Sequence, residues 1–492
     1  MTFIVIPHEI GTKTATLWIG AKGEGDVPHR PVRLDLNGES RQMGDNWRVW
    51  QTFADTDPQD FAPADRRLHE AISKDEPIRE RIYYQRLELE SLDADEPYRA
   101  TLIVDNQEAV SLNGRLSSCS FRTLPYELLE AGSESTFNIL LGSCFYMPGD
   151  REGMVGHTFD DLPESHRPHV KVLCGDQVYL DNPWYQTTLK WNWSYRQPGA
   201  FRKMLLDKYL ATWTQSPDEN SGFSRLLTEG ANYFCSDDHE FWNNAPSFGG
   251  VGLANTFSHR RRSWWFEEAR KLFRVFQSQS SLLGFNIGNL SVKVVDTRID
   301  RDTSGIRFML YENLQEVQDW LSAQTGPGVL VLGQPLLKAD AIQSRTDKIL
   351  SGFDKDLADY GQYAELKKSI HSCPHSVVVL TGDVHFARVA YLSPDSNGVT
   401  KFVEVVSSPM CLVPGFFGRR KSNSYQAALP LDSEAINSMK PFGEEHRDHF
   451  ATIQFSAVGN DAVRMKVSYW PILSSDQNVA PEPVRDYEFT LN

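Results

Sequence analysis

Between residues 137 and 406 the chain repeats one pattern: a short, almost wholly apolar run stops abruptly in polar, reactive residues. The runs cover residues 137–141, 170–174, 233–235, 292–295, 329–332, 377–380 and 403–406. They are too short for buried helices and rich in β-branched residues, so each reads as a strand covered on both faces. Segments with helical spacing separate them. Phe201, Leu205 and Tyr209 follow Pro198; Leu272, Phe273 and Phe276 follow Trp265; Leu314, Val317 and Leu321 form a third stripe. Such alternation predicts an α/β domain. In open sheets of that kind, chemistry gathers outside the carboxyl ends of the strands.

The first 130 residues read differently. Val32, Leu34 and Leu36 alternate with polar neighbours, as do the runs at 15–19, 47–53 and 87–89. Leu92 to Tyr98, followed by another alternating run, has the pattern of a tyrosine corner. An all-β domain of immunoglobulin or fibronectin type is expected over 1–130, with an acidic linker at 127–135 leading into a second domain over 131–492. Near the end, Ile453 and Phe455, a Gly459-Asn460-Asp461 turn, then Val463, Met465, Val467 and Tyr469 predict a hairpin.

Composition narrows the function classes. The net charge of −15 argues against a nucleic-acid surface, which needs basic patches; the one dense basic run, His259 to Arg262, reads as the start of a helix. Six dispersed cysteines do not form a disulfide framework. No run approaches the roughly 18 apolar residues of a membrane helix, and the first residues lack a signal peptide's basic flank and apolar stretch. A cytoplasmic location is expected.

The strand ends then carry the argument. In order they offer Ser143-Cys144, Asp176 with Tyr179, Asp237-Asp238-His239-Glu240 with Asn243-Asn244 close behind, Asp296-Thr297-Arg298, Gly333-Gln334, Asp383 with His385, and Ser407-Ser408. Singly, each has an ordinary reading: Gly-Asp after a strand is common turn chemistry, a lone cysteine usually packs, and Asp237-Asp238 can cap a helix. Together they place several carboxylates at one end of the sheets, where they repel one another unless a cation or proton intervenes. Thiol, phenol and imidazole suit iron or zinc, whereas carboxylates and amides suit calcium, magnesium or manganese. Two unlike ions are therefore expected, one near Cys144 and Tyr179 and one among the carboxylates.

In sequence order, GSC, GDQVY, DDHE with NN behind it, DTR, TGDVH and EVVSSP resemble the PhoD-like (alkaline phosphatase D) metallophosphatases, within the calcineurin-like superfamily. The resemblance covers residues 135 to 470. It implies a two-sheet αββα sandwich and a dinuclear site of ferric iron with calcium, or with zinc, manganese or magnesium. By position, it makes Cys144, Asp176 and Tyr179 ligands of the iron-type site, with Asp176 as the bridge. Asp237, Asp238, Asp383 and His385 complete the metal shell, His239 is a catalytic histidine, Arg298 a contact to the substrate phosphate, and Asn243 and Asn244 possible substrate contacts. Three features depart from the family: the twin-arginine export signal of its secreted members is absent, Ser236 stands before DDHE where an aromatic is usual, and Phe386-Ala387 follows His385.

The expected reaction is hydrolysis of phosphate monoesters and/or diesters by a metal-bound hydroxide at the dinuclear site, with His239 protonating the leaving oxygen. Two readings from other classes compete. One is an inactive binding module working through its N-terminal β-sandwich; the other is a Ser/His hydrolase, for which no G-x-S-x-G elbow is present.

Overall fold

The computed structural model describes residues 2–24, 32–44, 46–49, 80–105, 107–108, 117–132, 136–183, 198–216, 221–249, 254–337, 355–412, 436–442, 447–459, 461–472 and 482–492. The expected strand at 47–53 and turn at 459–461 fall partly outside them. So does the end of the expected linker at 127–135.

Two large sheets dominate. In the first, β12 (Ala231–Cys235), β11 (Val170–Cys174) and β10 (Phe137–Gly142) run parallel, followed by β20 (His449–Val458), β21 (Ala462–Pro471) and β22 (Asp486–Leu491). In the second, β14 (Leu290–Val295), β15 (Gly328–Leu332), β16 (Val377–Thr381) and β18 (Phe402–Val406) run parallel. Antiparallel strands flank them: β13 (Leu282–Ile287) on one side, β17 (Arg388–Leu392) and β19 (Ile436–Met439) on the other.

Side-chain alternation explains why the strand runs are apolar throughout. Ile139, Leu141, Val172 and Cys174 share one core cluster with Val292, Val294, Val329, Val331, Val378 and Leu380 of the other sheet. The intervening Leu140, Leu173 and Phe234 pack with helices α2 (Pro198–Trp213), α3 (Gly222–Leu227) and α4 (His259–Phe276). A short helix, α1 (Met154–Asp160), joins the same cluster through Val155 and Phe159. On the second sheet, Leu330, Leu332, Val377 and Val379 pack with Leu314, Val317 and Leu321 of α5 (Tyr311–Ser322) and Leu366 and Ile370 of α6 (Gln362–His371). Each fully buried aliphatic chain is worth about 1.5–3 kcal/mol. The fold is mixed α/β, and the three expected helical stripes are those of α2, α4 and α5. The basic run His259 to Arg262 opens α4, whose first turn Ser258 caps through its hydroxyl.

The first 122 residues supply two smaller antiparallel sheets. One orders β1 (Thr2–Ile10), β2 (Ala15–Glu24), β6 (Glu80–Leu89) and β5 (Arg48–Val49); the other orders β4 (Glu39–Gln42), β3 (Val32–Leu36), β7 (Pro97–Val104) and β8 (Gln107–Glu108), with β9 (Ser118–Arg122) also on β7. At the Leu92–Tyr98 turn, the Tyr98 hydroxyl accepts the Asp93 N–H at 2.8 Å. These sheets dock on the rest of the chain: Ile4, Ile6 and Trp18 join the helix cluster, the Tyr233 hydroxyl donates to the Ile10 carbonyl at 3.1 Å, and Asn232 donates to the Pro7 carbonyl.

All six cysteines are free, in accord with the dispersed spacing. Among the described residues no helix is long and apolar enough to cross a membrane. One buried group gives the fold an acid limit. His449 on β20 is buried; its Nδ1 donates to the Arg447 carbonyl at 2.7 Å, its Nε2 has no partner, and burial pushes its pKa down to about 4. The unfolded chain therefore takes up a proton near pH 6.5 that the folded chain refuses. Stability from this residue is intact above that value and falls as pH drops toward 4, by roughly 3 kcal/mol. Urea unfolding across that range should show a shallower loss in His449→Asn, whose amide keeps the bond to Arg447; an unchanged slope would remove His449 from the account.

A candidate metal centre at the strand ends

Because β10, β11 and β12 are parallel, as are β14, β15, β16 and β18, their carboxyl ends deliver the reactive segments to one place. The segments are tied together by their own backbones: Cys144 N–H to the Gly175 carbonyl at 3.1 Å, Phe145 N–H to the Asp176 carbonyl at 2.8 Å, and Gly382 N–H to the Gly333 carbonyl at 3.1 Å. Nine non-glycine residues in the described structure have positive φ, and five of them lie here: Cys144 (56°), Asp176 (59°), Asn244 (68°), Asp383 (67°) and His385 (55°). Left-handed backbone costs such residues about 1–2 kcal/mol each, and strain of this kind collects where geometry is functional. The preceding glycines are sterically required. A Cβ on Gly175 would overlap the Asp237 side chain, and one on Gly382 would overlap Ser143.

The donor atoms converge in three overlapping groups, each within 4.8 Å: Cys144, Asp176 and His385; Asp176, Asp238 and His239; and Asp237, Asp238 and Asp383. Asp176 and Asp238 each belong to two. The Cys144 thiol donates to Asp176 Oδ2 at 3.5 Å, and the His239 N–H donates to Asp176 Oδ1 at 3.0 Å. Tyr179 lies between them, its ring stacked on His239 with centroids 4.2 Å apart.

Electrostatics test whether cations fit. Burial first, then neighbouring Asp238 and Asp237 against the relief from His239, pushes the Asp176 carboxyl well up. Burial and the acids Asp383 and Asp238 do the same to Asp237, against Arg298. The Cys144 thiol and Tyr179 phenol are likewise raised, by burial and then by the surrounding anions. Asp237 Oδ2 and Tyr179 Oη are buried without a hydrogen-bond partner. Anionic donors crowded in low dielectric, two of them with orphaned oxygens, fit cations. Burial lowers the His239 pKa, but Asp181, Asp238 and Asp176 outweigh it and hold the imidazole well above its usual range.

Other expected residues are placed differently. Arg298 turns its guanidinium toward protein groups. It is buried in an ion pair with Asp237, Nε to Oδ1 at 2.5 Å, while NH1 donates to the Ala245 carbonyl at 2.8 Å. Asn243 and Asn244 engage the site through backbone N–H groups, to Asp181 Oδ2 at 2.8 Å and Asp238 Oδ2 at 2.6 Å. Ser236, the unusual residue before the DDHE segment, gives both its N–H and hydroxyl to Asp296.

Three residues to which the sequence assigned no role support the site. Asp181 holds His239 Nδ1 at 2.7 Å; a carboxylate five residues after Asp176 in GDQVYLD was the available signal. Glu240 is buried and accepts the N–H groups of Asp176, Gln177, Val178 and Asp237, although burial pushes its carboxyl up to about 7. Gln334 donates to Asp383 Oδ2 at 2.9 Å.

Comparison with solved structures places this architecture. It is similar to the structure of PhoD, with a TM-score of 0.58 and 13% identity over 99% of this chain and 91% of that one. The structure of GAP50, the anchor in the inner membrane complex of Plasmodium, aligns over 73% of this chain and 89% of that one with 9% identity, but its TM-score of 0.36 carries no argument. No family model matches the chain, and no curated protein matches it. At this identity the likeness to PhoD is one of fold: the chain has a PhoD-like mixed α/β fold.

Proposed function

We propose that this chain is a metallophosphoesterase that hydrolyses small phosphate esters at a dinuclear site. The observation carrying this is the sharing of Asp176 and Asp238 among three donor groups, since a shared carboxylate is what holds two ions about 3.5–4 Å apart. The core common to both large sheets, with helices on their outer faces, supports reading residues 131–492 as an αββα sandwich. The two smaller sheets support an immunoglobulin- or fibronectin-like domain over 1–130.

Cys144, Asp176, Tyr179 and His385 would hold a ferric-type ion. Asp176, Asp237, Asp238 and Asp383 would hold a harder one such as calcium, manganese or magnesium, with zinc a further candidate. Two cations bound there would activate water and offset charge on the phosphoryl oxygens. His239 is oriented by Asp181 through Nδ1 and by the Tyr179 ring, which leaves Nε2 to protonate the departing oxygen. Asn243 and Asn244 border that position.

Metal analysis of the purified chain, with turnover of p-nitrophenyl phosphate and bis-p-nitrophenyl phosphate before and after chelation, tests this. Activity should disappear with the metal and return on its re-addition, and ferric iron on Tyr179 should give a visible charge-transfer band. A metal-free, colourless protein that keeps its activity through chelation would overturn the proposal.

A further inference from the structure

We infer that the turn after β14, residues 296–301, positions the carboxylate half of the centre. It acts through Arg298 on Asp237, and through Arg301 and Gln334 on Asp383. This rests on the metal-centre reading above.

The turn is anchored before it acts. Asp296 accepts the N–H groups of Arg298 and Ile299, both at 2.9 Å, and the N–H and hydroxyl of Ser236. It thereby locks itself to the strand end that carries Asp237. From this platform two arginines diverge. Arg298, 2% exposed, occupies Asp237 Oδ1 and leaves Oδ2 as a buried oxygen without a partner. Arg301, 5% exposed, is fixed by its own donors to the Thr297 and Lys355 carbonyls and by the Tyr360 ring 5.0 Å beneath it. Its remaining nitrogen donates to Gln334 Oε1 at 2.7 Å. Because that bond consumes the amide oxygen, the Gln334 NH2 must face outward, and it donates to Asp383 Oδ2 at 2.9 Å. One oxygen of each acid is thus occupied by a fixed donor that sets the direction of the other: a guanidinium on Asp237 and an arginine-backed amide on Asp383. Outer partners of metal ligands typically govern affinity by 10- to 100-fold.

The assignment separates from a phosphate-contact role for Arg298, which would act on substrate affinity. Chelator-stripped full-length protein is titrated with Mn2+, free ion being followed by electron paramagnetic resonance, for the wild type, Arg298→Met, Arg298→Lys and Gln334→Leu. The expected result is roughly 10- to 100-fold weaker Mn2+ binding in Arg298→Met and Gln334→Leu, with partial recovery in Arg298→Lys. The KM for p-nitrophenyl phosphate should stay unchanged at saturating Mn2+. Gln334→Leu removes no charge, so it carries the test if Arg298→Met fails to fold. Wild-type Mn2+ affinity in Gln334→Leu, or a raised KM with normal Mn2+ affinity in Arg298→Met, overturns the positioning role alone. A wild-type chain that takes up no Mn2+ overturns the metal reading itself.

Discussion

Replacing Asp176 with asparagine is expected to cut phosphoester turnover by at least about a thousand-fold, ~4 kcal/mol of transition-state stabilisation, while making the metal-free protein more stable. The two effects have one origin. Asp176 is 1% exposed and belongs to two of the three donor groups, so its charge is useful only with cations present. Without them, burial and the acids around it push its carboxyl well up. An acid whose folded value lies above its unfolded one stabilises the fold at low pH and loses that contribution as pH rises through the folded value. Asparagine keeps the shape and removes the loss. It cannot bridge, because its NH2 has no lone pair to share. Metal content, steady-state turnover and chelator-treated melting temperature check this together. Turnover close to wild type would end the bridging role. A fall in metal-free stability parallel to the fall in activity would make Asp176 scaffolding rather than a ligand.

The sequence made the parallel core legible because its signal is local. An apolar run with a β-branched bias reads as a buried strand wherever it lies, and the runs at 170–174, 329–332 and 403–406 are β11, β15 and β18 to within a residue. The thiol, carboxylate and imidazole groups were legible for the same reason, since each sits within a few residues of its strand. Sheet order was not. That β20 pairs with β10, across more than 300 residues, depends on which strands share a face, and periodicity does not record it. Arg298 shows the same limit in the site. The motif placed a guanidinium near phosphate chemistry, but its partner Asp237 lies 61 residues away, and only assembled strands decide whether such a charge faces solvent or another side chain. Asp181 and Gln334 act by that kind of distant contact, and so does Glu240 on the loop after β11, although its bond to the Asp237 N–H three residues back is local.

Glu240 carries the second large effect, and it should part company with Asp176. Its two oxygens each take two backbone donors: Oε2 from Asp176 at 2.7 Å and Asp237 at 2.8 Å, Oε1 from Gln177 at 2.7 Å and Val178 at 3.3 Å. One carboxylate thus ties the loop after β11 to the loop after β12. In Glu240→Gln the amide can present its oxygen to one pair only, and its NH2 then faces two N–H groups that have no other acceptor. At about 1–3 kcal/mol for each buried donor left unmet, the variant should lose roughly 2–6 kcal/mol of unfolding free energy. The comparison belongs at least a unit above the Glu240 value of about 7, where the wild-type group is ionised. The loss should appear in urea unfolding of metal-loaded and chelated protein alike, because it arises in the backbone and not at a ligand. Asp176→Asn should destabilise neither loop. A Glu240→Gln protein as stable as wild type without metal would mean that the two loops hold their shape unaided, and that the donor groups are assembled by the sheets alone.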